Sequence, residues 1–214
     1  MLQRFLPRDR AIERLARCIF GLALFGVGVA LLIRSDLGAA PWDVFHTGVS
    51  ELTGIPVGTV LILTGLVLLL LWIPLREQPG TGTILNAIEI GLVVDLVLPL
   101  LPQTDQLALR CAMVVGGVLL IAVGSGFYIG AGLGPGPRDG LMTGIARRGP
   151  SIKVARTGIE VTVLVIGVML GGAIGVGTAV FALSIGPLVE RILPSLTMTE
   201  PAATGVAAGR PRKD

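Results

Sequence analysis

Residues 57–75, VGTVLILTGLVLLLLWIPL, carry no charged side chain. A run of that length matches the roughly 20 residues a helix needs to cross the hydrocarbon core of a bilayer. Away from water, only a helix or a closed barrel can satisfy its backbone. Further apolar runs lie at about 16–33, 81–101, 110–130, 153–172 and 175–196, and none shows the alternating segments of a membrane barrel. Only 14% of residues are charged against 52% hydrophobic, whereas a soluble domain carries about 25% charged. The expected fold is an all-α polytopic membrane helix bundle of six spans.

The basic residues set the expected orientation. With the N-terminus in the cytoplasm, all of the 17 Lys and Arg residues except Arg34 and Arg110 fall on the inside, as the positive-inside rule requires. Both chain ends are then cytoplasmic in a plasma-membrane protein. The pI of about 9.4 thus reflects topology, and no nucleic-acid partner is expected. Arg4, Arg8, Arg10, Arg14 and Arg17 ahead of the first run also resemble a signal-peptide n-region. The repeat described next needs that run as its first helix, so it is expected to be retained.

LGAAPWDVFHTGV at 37–49 aligns with LGPGPRDGLMTGI at 133–145, sharing Leu, Gly, Pro, Asp, Thr and Gly. GTGTILNAIEIGLVVDLVLPLL at 80–101 aligns with GVGTAVFALSIGPLVERILPSL at 175–196, placing Asp95 opposite Glu190. Upstream, Arg14, Gly21 and Gly28 match Arg110, Gly117 and Gly124. Residues 14–103 and 104–196 therefore read as two copies of one three-span unit, flanked by a basic N-terminus (1–13) and a disordered cytoplasmic tail (197–214). An odd number of spans per copy makes the repeat inverted, as in many secondary transporters.

In each motif Gly and Pro break the preceding span, and Pro41 or Pro137 suits the first position of a new short helix. Asp43 and Asp139 then fall in first turns, where a carboxylate complements the helix dipole, with Thr47 and Thr143 one turn on. Two readings stay open. Either these helices lie at the membrane surface, with Trp42 as an interfacial anchor, or they dip between the spans and line a cavity.

Ionisable residues within spans are functional candidates by default. Counted from Gly80, Glu89 lies about 13 Å along its helix, near midplane, with Asn86 one turn earlier; the pair forms the expected polar centre, or a packing hydrogen bond. Glu160 follows Arg156 by four residues, which fits an ion pair as well as a functional role. Asp95 and Glu190 read as charges reaching the headgroups. His46, the single histidine, has no cluster of metal ligands around it. Cys18 and Cys111 read as small packing residues.

GLVLLLLWIPLREQPGTGTILN at 65–86, YIGAGLGPGPRDGLMTG at 128–144 and IGVGTAVFALSIGPLVE at 174–190 resemble the bacterial YczE/YyaS/YitT family of integral membrane proteins, most closely its YczE-like branch. The resemblance implies a multi-span plasma-membrane protein and assigns no activity.

Expected candidate ligand-binding residues are Glu89, Asn86, Asp43, Thr47, Asp139, Thr143 and Glu160, in a transporter or exporter of an unknown small solute or ion, without cofactor or metal. A homodimer would thicken a thin six-helix wall. The alternative is a membrane-resident regulatory or scaffolding protein. No enzyme is expected, since no activated nucleophile is recognisable.

Overall fold

The computed structural model describes residues 9–198; the first eight residues, with Arg4 and Arg8, and the expected disordered tail from residue 199 lie outside the described residues. Eight helices follow one another: α1 (Ala11–Ser35), α2 (Pro41–Thr53), α3 (Val57–Leu75), α4 (Thr81–Val97), α5 (Leu107–Gly130), α6 (Pro137–Ala146), α7 (Ile152–Met169) and α8 (Val176–Leu196). A 3-10 turn, Leu98–Leu100, prolongs α4, and there is no strand among the described residues. The helix α1, the helix α3, α4 with its turn, α5 and α8 are long and apolar enough to cross a membrane. The 18-residue α7 carries Lys153, Arg156 and Glu160 and stands outside that set. Leu66, Leu70, Leu92, Leu119 and Leu183 are exposed on the outside of the bundle, a surface suited to lipid tails.

The centre of the fold is the pair α1 and α5, whose backbones touch where glycines remove the side chains. A Cβ on Gly28 would lie 2.7 Å from the Gly117 carbonyl oxygen, and one on Gly117 2.8 Å from that of Gly28. Gly21 and Gly124 meet in the same way, at 2.7 and 2.5 Å. Small residues of this kind let helices approach where no water-driven collapse assists them. Arg14 is 3% exposed and donates through Nη1 to the Ala131 carbonyl just past the end of α5 (2.9 Å). Arg110 donates through Nε to the Ser35 carbonyl at the end of α1 (2.6 Å). Each arginine thereby satisfies a carbonyl left without a partner at a helix terminus. The Arg14 guanidinium also bonds Asp9 at 2.8 Å and holds that carboxyl below the usual carboxylate range.

These contacts are reciprocal in the alignment of the two sequence copies. Position 21 aligns with 117 and 28 with 124, yet Gly21 touches Gly124 and Gly28 touches Gly117. The loops do the same: Gly82 N–H donates to the Leu133 carbonyl at 2.8 Å, and Gly177 N–H to the Leu37 carbonyl at 2.7 Å. At the starts of α4 and α8, Gly80 and Gly175 N–H groups donate to Thr83 and Thr178 Oγ1. The helix α1 packs on α4 as α5 packs on α8, and α2 on α3 as α6 on α7.

One pair breaks this correspondence. Helices α3 and α4 pack closely, whereas α7 and α8 share no packed interface. At the α3–α4 seam Gly58 and Gly91 lie backbone to backbone. Asp95 accepts from Gly58 N–H (2.6 Å) and from Thr59 Oγ1 (2.8 Å), capping α3, whose own N-cap is Pro56. Asp95 is thus tied to a helix terminus and is not the headgroup-seeking charge its position suggested. In the other half the aligned Gly186 has nothing within 4 Å, and Glu190 and Lys153 are exposed. There Ser151 caps α7 locally, accepting from Val154 N–H at 3.3 Å.

Candidate functional site

A cavity of about 400 Å³ runs between the two halves and reaches the gap between α7 and α8. Its inner end is built by the starts of α2 and α6. Each begins with Pro at N1, following an extended residue, Ala40 or Gly136. Trp72 of α3 holds the second start in place, its Nε1 donating to the Pro137 carbonyl at 3.0 Å.

The two helix starts bring together side chains from aligned positions. The Arg138 guanidinium lies over the Trp42 ring, 5.0 Å from its centroid, a cation–π arrangement. Trp42 is 6% exposed and its Nε1 has no hydrogen-bond partner. The Arg138 side chain is 26% exposed although protein surrounds it, because its accessible part opens onto the cavity. Asp43, fully buried, lies 3.9 Å from Arg138 and 3.4 Å from His46 Nδ1. These are ion-pair distances without hydrogen-bond geometry, and Asp43 Oδ1 and both His46 nitrogens lack a hydrogen-bond partner. Tyr128 donates its hydroxyl to Asp139 Oδ2 at 3.2 Å. A Cβ on Gly136 would stand 3.3 Å from both Asn86 Nδ2 and Asp139 Oδ2, so Asn86 reaches the same end.

Residues 12–194 match a protein family described as a family of unknown function (DUF6198). The chain belongs to that family. It is 38% identical over 176 residues to an uncharacterized protein of Haemophilus influenzae, covering 82% of this chain and 81% of the relative. It is 36% identical over 177 residues to the uncharacterized membrane protein YczE of Bacillus subtilis (81% and 82% covered). To the uncharacterized protein YyaS of the same organism it is 27% identical over 181 residues (81% and 89% covered). No solved structure matches. The resemblance read from the motifs is therefore correct, and the apolar helices together with the YczE relationship make the chain a membrane protein.

In this family member the candidate residues separate into three groups. Asn86, Asp139 and Glu160 line the cavity, with Asp43 directly behind Trp42 and His46. Thr47 and Thr143 instead donate to backbone carbonyls of their own helices, Val44 at 3.1 Å and Gly140 at 3.0 Å, and do not line it. Glu89 is half-buried and off the cavity wall. Of the pair, Asn86 lines the cavity and Glu89 does not. Glu160 pairs with Arg156 at 3.0 Å, as its spacing predicts. Cys18 is buried and Cys111 exposed, so only the first fits the packing expectation.

Three residues at the inner end are not among the expected ligands. Trp42 reads in sequence as an interfacial anchor, Arg138 as a cytoplasmic topology signal, and Tyr128 as part of an apolar run. The signal that could have found the first two is their alignment, a bulky aromatic opposite a cation at the same place in each copy. Among the described residues no group of acidic, His and Cys side chains is arranged to hold a metal.

Proposed function

We propose that the chain transports a small solute by alternating access. In this reading it is two inverted three-span repeats, with α7 as the sixth and shortest span. The helices α2 and α6 dip from opposite faces until their starts meet at the cavity. The reciprocal glycine, arginine and loop contacts support a two-fold axis in the membrane plane, since aligned positions exchange partners as they would across such an axis. The basic residues keep both ends cytoplasmic; Arg138, facing the cavity, drops out of that bias without changing its sign.

The observation that carries the proposal is the unequal pair of seams. One half has its seam latched by Asp95 on α3, and the aligned seam of the other half is parted and open to the cavity. Two halves built alike but set differently are what rocking around a fixed site requires. The latched seam then faces outward and the open one inward. In the opposite state Asp95 releases α3, while Glu190 closes on Lys153 and the start of α7.

A cross-link tests this. In a protein with Cys18 and Cys111 replaced by Ala, Lys153→Cys and Glu190→Cys are joined by a short bifunctional reagent. A third cysteine, Ile62→Cys, sits in the latched seam beside Gly91. The expected result is that closing the inner seam makes position 62 accessible to an impermeant maleimide from outside, with little labelling before. Labelling that ignores the cross-link means a rigid bundle and favours a scaffolding role.

Glu89 fits a separate coupling role. No hydrogen bond or ion pair reaches its carboxyl among the described residues, and it lies mid-span, where a carboxyl is costly unless it is used. Glu89→Gln is expected to abolish proton-driven accumulation in proteoliposomes while leaving solute exchange across the same vesicles. Loss of both, or of neither, removes the coupling role.

A further inference from the structure

Resting on the reading of the cavity as a solute site, we infer that its solute is a zwitterion: a carboxylate and an ammonium close together on a small apolar body, of the amino-acid kind. The argument starts with unused donors. Arg138 has five N–H groups in a rigid fork, and its nearest carboxylate oxygen, on Asp43, is 3.9 Å away, too far for a hydrogen bond. The Trp42 Nε1–H is buried without a partner. The starts of α2 and α6 meet at the same place, and the positive ends of their helix dipoles favour an acceptor there. Burying donors unpaired costs free energy, so this end of the cavity calls for acceptor oxygens. A planar guanidinium fork selects a carboxylate in particular.

An acceptor lies beside these donors. Asp139 Oδ2 receives Tyr128 with its carboxylate opening onto the cavity, whereas Asp43, behind Trp42 and His46, contributes charge without reaching the cavity. An ammonium would pair with Asp139. The charge balance points the same way. One guanidinium faces two carboxylates, the buried Asp43 and Asp139, which is exposed to the cavity, and two helix N-termini add roughly half a positive charge each, so the inner end is close to neutral. Arg156 and Glu160 cancel each other as an ion pair, and Glu190 sits exposed at the mouth, where water screens it. A lone anion or a lone cation would leave one charge uncompensated beside the buried Asp43. A zwitterion leaves none. The remaining walls, including Phe25, Leu61, Ile90, Ile121, Phe181 and Ile185, are apolar and suit an apolar side chain. The volume is in the range of small-molecule sites.

Three probes with one carbon skeleton decide the class. Leucine carries both charges, 4-methylpentanoate lacks the ammonium, and 3-methylbutylamine lacks the carboxylate. Binding is measured by calorimetry and thermal shift on purified wild-type protein, with alanine and phenylalanine covering side-chain size. The expected result is that at least one amino acid binds and that both one-charge analogues of leucine bind roughly tenfold or more weakly than leucine. Arg138→Lys, which keeps the charge and loses the fork, is expected to weaken amino-acid binding by a similar factor. Equal or tighter binding of the amine makes this a cation site and overturns the inference. Equal binding of the carboxylate makes it an anion site and also overturns it, as does failure of all the amino acids to bind. Labelled-leucine counterflow separates this from the transport reading: binding without uptake retains the zwitterion site and removes transport. A positive cross-link experiment without amino-acid binding does the reverse.

Discussion

Gly28→Val is expected to prevent stable folding, while Gly116→Val, in the partner helix of the same crossing, is expected to be nearly silent. A Cβ at position 28 would fall 2.7 Å from both the Gly117 carbonyl oxygen and Ile121 Cγ1. The first of these is backbone and cannot rotate away, so α1 and α5 must separate along the contact that also carries Gly21, Gly117 and Gly124. Overpacking a well-fitted core costs about 1–3 kcal/mol and occasionally more; a rigid backbone target puts this case at or beyond the upper end. In a bilayer no hydrophobic gain from water offsets the lost packing. At Gly116 a Cβ meets only Leu31 Cδ1, at 3.9 Å. Both substitutions replace Gly by Val within a helix, so the intrinsic propensity change is shared and cancels in the comparison. Thermal unfolding in detergent, followed by size-exclusion chromatography, reads the difference. If Gly28→Val unfolds at the midpoint of Gly116→Val, the α1–α5 crossing is not what holds the bundle together.

The helices were largely legible because their cause is local. Residues 57–75 form α3 over that same span, and the runs at 81–101 and 175–196 lie within two residues of the ends of α4 with its 3-10 turn and of α8. The helix α1 begins five residues before its apolar run because Glu13 and Arg14 belong to it, the arginine bonded to the carbonyl just past the end of α5. A hydropathy run ends where charge begins, whereas a helix ends where its hydrogen bonds do. The short helices after the motifs were also legible, since Pro41 and Pro137, each following a Gly-containing break, suit the first position of a helix. Their depth was not, because a first-turn Asp helps a helix at the surface and in the interior alike. Nor was the rotation of α4. Asn86 and Glu89 share a face by spacing, but Gly91 against Gly58 and Val93 against Gly26 turn the helix so that Asn86 meets the cavity and Glu89 does not. That setting comes from packing between distant segments, and spacing within one helix carries no information about it.

Arg138→Ala is expected to lower stability by about 3 kcal/mol, within the range for removing one partner of a buried charge pair. The Asp43→Asn change is expected to restore much of that loss in the double variant. Asp43 is fully buried with its Oδ1 lacking a hydrogen bond, so Arg138 is the main cation offsetting its charge and that of Asp139. Deleting the guanidinium leaves two carboxylates at one end of a confined cavity. Making Asp43 neutral removes one of them without changing its shape. If Arg138 acts instead through packing on Trp42, Arg138→Met is expected to retain most of the stability and Asp43→Asn to rescue nothing. The four unfolding midpoints of the cycle, with Arg138→Met as the fifth, separate the two accounts, because coupled neighbours deviate from additivity and independent ones do not. A coupling near zero also bears on the solute. Asp43 would then be free of Arg138, and the guanidinium would stand as a bare cation at the end of the cavity. The balance of one guanidinium, two carboxylates and two helix ends would no longer hold, and a lone carboxylate would fit the site better than a zwitterion.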